Sequence, residues 1–186
     1  MNTGTQQERA CCVPDGSWKE VKAMHNRYDI NLLIPECLQA VPEVAPDYLE
    51  LCKERQAVVF TDQDYADLEE IARMHQLPPS DPHVPGITLL LEDLVVPFLI
   101  DLAQDSTKCQ RMHEIMDWLE TLARNEIFDI RNVVGVSICE PLLTTYEEQL
   151  PTIYPYLGTE TKRLCVMQFS RWILDDTTKQ LFAQDL

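Results

Sequence analysis

The residues whose types and spacing come nearest to chemistry are His113, Glu114 and Asp117, in the run HEIMD. A zinc helix of the HExxH kind places two histidines one turn apart to hold the metal and uses the glutamate to polarise water. Here Asp117 stands where the second histidine belongs, and His25, His75 and His83 have no ligand spacing with the motif. Only five glycines occur and none builds a phosphate-cradling loop, there is no GxSxG elbow, and no cysteine has a sequence context that activates it. The expectation is a protein that is not an enzyme, with no metal and no cofactor. A metal-dependent hydrolase built on His113, Glu114 and Asp117 is the alternative from this motif.

Charge says more. The chain has 31 acidic against 15 basic residues in 186, a formal net charge of -16. Such a balance biases encounters toward basic partners and away from nucleic acid or anionic lipid. Three groups of carboxylates are candidates for contacting a partner. Asp62, Asp64, Asp67, Glu69 and Glu70 crowd the start of one expected helix, more acids than a helix dipole needs. Asp93, Pro97 and Asp101 fall on one helical line, and Pro97 releases the carbonyl of Asp93 from its usual bond, so this side must face water or polar groups. Asp117 and Glu120 flank the apolar stripe of a third helix beside His113, an acidic seam at the edge of the core. Trp18, in a polar stretch, is the aromatic candidate for anchoring a partner.

These residues sit on helices. Asp62 to Gln76 is marked by Thr61 and Asp62 as caps and by Tyr65, Leu68, Ile71 and Ala72 at helical spacing, with a shorter helix over 47–58 before it. Residues 87–104 are apolar almost all round, the pattern of a helix buried on more than one side. Residues 108–124 carry one stripe, Cys109, Met112, Met116, Leu119 and Ala123, whereas 127–143 carry two apolar faces and belong between neighbours. Shorter helices follow at 151–157, stopped by Gly158, at 160–174, capped by Thr159, and near 177–183. Residues 1–45 read as coil and short helix, and AVVF at 57–60 is the single strand-like alternation worth noting. Leu94, Phe98, Met116, Leu119, Val134 and Ile138 are expected to share one core.

The fold expected is all-α, layered antiparallel helices in a HEAT-like stack or an irregular bundle. The stretch PPSDPHVPG, 78–86, packs four prolines into nine positions and reads as a linker or ordered crossing loop between an N-terminal segment, 1–77, and a helical domain, 87–186. Residues 1–10 lack a basic-then-apolar leader, no run approaches the ~20 apolar residues of a membrane span, and seven cysteines form no CxxC pair. A reducing, cytoplasmic setting is expected, with no membrane partner.

The runs LLEDLVVPFLIDL (90–102), MDWLETL (116–122), VVGVSICEPL (133–142) and YPYLGTETKRL (154–164) together resemble an uncharacterised bacterial all-helical domain similar to the immunity proteins of polymorphic toxin systems. The resemblance spans about residues 86–174. It implies a helical domain that binds and neutralises a cognate toxin with a basic surface. Pro141, directly behind Glu140, departs from an uninterrupted helix and leads us to expect a kink or an early end there. A helical scaffold or adaptor is the other non-enzymatic reading.

Overall fold

A computed structural model of the chain describes residues 29–75, 81–169 and 176–183, leaving aside the side chains at 71, 72 and 75. Trp18, Trp172, the Cys11–Cys12 pair and residues 78–80 of the Pro-rich stretch lie outside the described residues. Within them the chain is all-α with no strand. We label α1 Ile34–Ala40, α2 Ala45–Gln56, α3 Asp62–His75, α4 residues 87–104, α5 Cys109–Ala123, α6 residues 128–144, α7 Leu150–Ile153, α8 Thr159–Gln168 and α9 Asp176–Phe182. The strand-like AVVF is instead a turn at Ala57 and an irregular link with Val59 90% exposed. No neighbouring strand pairs its backbone, so alternation alone produces nothing there.

The apolar stripes become one core. On α5, Met112, Met116, Leu119 and Ala123 are buried as the stripe requires, and Ile115 and Leu122 widen it. Helix α6 buries Ile130, Val133, Val134, Ile138, Cys139, Leu142 and Leu143, and packs against α4, α5 and α8. Its two apolar faces are therefore both used. Because α8 returns to α5 as well as α6, and α7 packs on α4, contacts are not confined to sequence neighbours as in a solenoid. The irregular bundle is the better description of the two expected. Four of the six residues expected in the shared core are fully buried, but Leu94 and Phe98 are only partly so, packed against its rim.

The reason for that rotation lies in the prolines. Helix α4 is π-helical over Leu90–Val95 and α6 over Gly135–Cys139, and each π turn ends two residues before a proline, Pro97 or Pro141. The N–H of Val96 reaches back five residues to Leu91 O, and that of Glu140 five back to Gly135 O. In an α register the pyrrolidine ring meets the carbonyl four residues earlier; the wider turn relieves this clash and lets the helix go on. Hence Pro141 neither cuts α6 short nor ends it: the helix runs to Thr144. The residue added in the first π turn also turns positions 94 and 98 away from the centre of the core. The two π turns lie against each other where α4 crosses α6.

The Pro-rich stretch does not separate two cores. Leu33, Cys37, Val41, Val44 and Tyr48 are buried in the same cluster as α4 to α6. Arg111 on α5 grips Glu43 through two nitrogens at 2.7 Å and donates to Ala40 O at 2.7 Å, while Tyr48 donates its hydroxyl to Pro85 O at 2.9 Å. Trp118 Nε1 donates to Glu36 at 3.0 Å.

Two helices start in the same unusual way. Gly86 and Gly158 occupy the cap positions of α4 and α8 and have no side chain to offer the exposed amides. A distant residue does so instead: Asn31 Oδ1 accepts from Ile87 N at 3.0 Å, and Glu120 accepts at the start of α8. Both glycines have φ near -70°, so their backbone conformation is open to any residue. What glycine permits is close approach. A Cβ at Gly158 would lie 2.3 Å from the Glu120 carboxylate, and one at Gly86 would lie 3.0 Å from Asn31 Oδ1.

Candidate functional site

Glu120 was expected at the centre of a partner contact; the structure gives it an internal task. Its side chain is 9% exposed and accepts from Glu160 N at 2.9 Å, Thr161 N at 3.0 Å and the Thr161 hydroxyl at 2.9 Å, with Arg124 Nη2 3.0 Å away. Burial pushes its carboxyl up, but the α8 amides, the Thr161 hydroxyl and Arg124 together outweigh that and hold it below the ordinary value. The positive end of α8 adds to the match. Glu120 thus takes the capping role expected of Thr159, which is itself the first residue of α8 and makes no side-chain cap. As a contact centre for a partner Glu120 is corrected: its oxygens are already filled.

The other acids divide by what they touch. On α3, Asp64 and Thr61 form a reciprocal cap, with Thr61 N and its hydroxyl each donating to Asp64 at 2.7 Å and Asp64 N donating back at 3.2 Å. Asp67 accepts from Gln63 Nε2 at 2.6 Å and Glu70 pairs with Arg73, so these two are engaged by their own helix. Asp62 and Glu69 are exposed, as are Asp117 on α5 and Asp93 and Asp101 on α4. The face of α4 that had to meet water does so. His113 is exposed with its ring 4.9 Å from Tyr156, and among the described residues no cluster of histidine, cysteine and carboxylate is arranged to hold a metal ion. Burial raises the thiols of Cys37, to about 12, and of Cys139, so neither is an activated nucleophile.

What the sequence reading missed is where α4 and α6 cross. The first π turn carries Glu92 and Asp93, the second carries Ser137, and Glu140 follows it. Glu92 is half-buried; its carboxyl is raised by burial first, then by the like charges of Asp93 and Glu140, with Ser137 pulling weakly the other way. Among the described residues no cation contributes to holding its charge. Ser137, 1% exposed, lies near enough to Glu92 to oppose that rise, although its Oγ makes no hydrogen bond of ordinary geometry among the described residues. Three carboxylates on adjoining helices thus meet at this crossing, and Glu92 loses solvent there without gaining a counter-charge among the described residues. The signal that could have found it was the pair of mid-helix prolines: a π turn is one way a helix accommodates a proline, and π turns collect at functional sites.

No described helix is long and apolar enough to cross a membrane. A family model described as a domain of unknown function, DUF7674, matches residues 34–171. No curated protein and no solved structure matches the chain. The match starts at α1, well before the span of the resemblance noted from sequence, and runs through the Pro-rich stretch into α8 and beyond. The match takes in α1 and α2, which share the core with α4 to α8, whereas Leu33 and Phe182, buried in the same cluster, lie just outside it. This chain therefore belongs to the DUF7674 family of domains of unknown function.

Proposed function

We propose that this protein is a binding protein without chemistry of its own, that its partner is a basic protein, and that the partner is a toxin whose activity it blocks in the cytoplasm. The observation that carries the binding role is the acidic face of α4 at its crossing with α6. Glu92, Asp93 and Glu140 gather there, Asp101 lies two turns further along α4, and Glu92 is destabilised by its own neighbours in the absence of a cation. A lysine or arginine entering this face removes that penalty, so association gains electrostatic energy the unbound protein lacks. The toxin as partner rests on the resemblance to immunity proteins and on net charge, which suits a clamp over a basic cleft.

The test is co-expression with the toxin encoded beside the gene. The wild-type protein should rescue growth and co-purify with the toxin, and replacing Glu92, Asp93 and Asp101 with lysine should slow association. Failure of the wild type to rescue or to co-purify sinks the toxin assignment. Rescue that survives the triple reversal, with unchanged association rate, moves the interface to another face.

A further inference from the structure

A groove on the opposite chemistry lies between the end of α5, the first half of α6 and α8. It encloses about 600 Å³, within the range that holds a small organic ligand. Arg124, Arg131 and Arg163 line it, three of the nine arginines in a chain of net charge -16. Against that background such a concentration of cations is not surface average. Glu160 is the one carboxylate among the lining residues.

The arginines are not consumed by the fold in the way Arg111 is. Arg163 is 72% exposed and reaches Glu160 at 3.6 Å, a surface pair of little net worth. Arg124 is 64% exposed and touches Glu120 through one nitrogen. Arg131 is half-buried and fixed by one nitrogen, Nη1, which donates to Asn125 O at 2.7 Å and Glu126 O at 3.0 Å; this positions the guanidinium, and among the described residues its remaining nitrogens make no hydrogen bond.

Apolar and polar walls complete the groove. Phe128 and Met167, 65% and 62% exposed, stand beside the arginines, where a solvent-facing aromatic ring and thioether have no role in the core. The floor is the amide of Gln168, buried, with an Oε1 that has no hydrogen-bond partner among the described residues. Gly135 lies beneath it, and a Cβ there would come within 2.8 Å of Gln168 Nε2. A glycine inside a helix costs about 1 kcal/mol against alanine. Here it leaves room for an amide whose oxygen is still unfilled.

We propose that this groove binds a small organic anion, its carboxylate or phosphate held by Arg124, Arg131 and Arg163 and its apolar body laid on Phe128 and Met167 above the Gln168 amide. Guanidinium planes match both anions with paired hydrogen bonds, and the apolar wall selects an anion with a hydrocarbon or aromatic body over a bare ion. The site is separate from the acidic face of α4 and stands whether or not the partner proposed above is the right one.

The test is titration of the full-length, isotope-labelled protein with phenyl phosphate, phenylacetate, inorganic phosphate and benzyl alcohol, followed by backbone amide shifts. Saturable shifts at Phe128, Gly135 and Gln168 are expected with phenyl phosphate or phenylacetate, the tighter of the two identifying the preferred anion. Inorganic phosphate and benzyl alcohol should each bind about tenfold more weakly, since each keeps only one half of the match. Arg163→Glu, on an exposed side chain, should leave the melting temperature unchanged and weaken the aromatic anion about tenfold or more. Absence of saturable shifts at these amides, equal affinity for inorganic phosphate and phenyl phosphate, or binding unaltered by Arg163→Glu overturns the proposal.

Discussion

Glu120 and Glu92 are two glutamates removed from bulk water in the same bundle, and their carboxyls move in opposite directions. Glu120 meets two helix amides, a hydroxyl and an arginine within the fold. Glu92 meets two other acids. Burial penalises both charges, so the difference comes from the company each keeps. One acid is spent on holding α5 to α8; the other keeps its charge against burial and like charges, with no cation paired to it among the described residues. In a chain of strong net charge this distinction, not the number of acids, separates carboxylates that stabilise from carboxylates available to a partner.

Truncations at and beside Glu120 should have the largest effects. Leu119→Ala, at a fully buried position next to it, should cost about 2–5 kcal/mol in urea denaturation and sets the scale for a lost core contact. Glu120→Ala should cost about 3 kcal/mol, because it leaves the first amides of α8 and the Thr161 hydroxyl without an acceptor. A loss under about 0.5 kcal/mol would break the comparison by showing that water replaces the carboxylate at no expense. Gly158→Ala should destabilise by about 1–3 kcal/mol through displacement of the same carboxylate, and combining it with Glu120→Ala should give less than the sum.

Glu92→Gln should act in the opposite sense, raising stability at neutral pH by on the order of 0.5 kcal/mol, since it removes a charge disfavoured by burial and like charges. The pH dependences sharpen this. Glu120 has a lowered folded pKa, so its contribution is present above the unfolded value near 4.5 and is lost as pH falls through the folded one. Glu92 has a raised folded pKa, so its penalty is absent below the unfolded value and grows as pH rises through the folded one. Stability differences between wild type and each Glu→Gln variant, measured across that acid range, should therefore slope in opposite directions. Parallel slopes would mean that the two carboxyls sit in equivalent surroundings.

The smallest expected stability change, within about 0.5 kcal/mol, belongs to Asp93→Lys with Asp101→Lys, both exposed. Their effect should appear instead in the rate of association with a basic partner, slower at low salt and converging with wild type as the Debye length shrinks from ~10 Å at 0.1 M to ~3 Å at 1 M. An unchanged rate at low salt would remove α4 from the steering surface.

Helix existence and most of the inward faces were legible in the sequence because they depend on local periodicity: Met112, Met116, Leu119 and Ala123 on α5 and Ile130, Val134, Ile138, Cys139 and Leu143 on α6 are buried as the spacing requires, whereas Cys109 and Ile127, at the helix starts, and Val136 are not. Net charge and the exposure of Asp93 and Asp101 were legible for the same reason, two acids and a proline on one helical line. The trans-caps were not. Asn31 serves α4 from 56 residues away and Glu120 serves α8 from 41, and nothing local in either residue names its partner. Likewise Pro97 and Pro141 announced a disturbance in each helix, but whether a proline breaks, kinks or widens a helix depends on the packing around it, which here holds both helices whole. Composition made the chain acidic, and local periodicity made it helical. Which acids are used up, which stay poised, and which arginines line a groove were decided only when the helices packed, because the energy of a buried charge is set by neighbours distant in sequence.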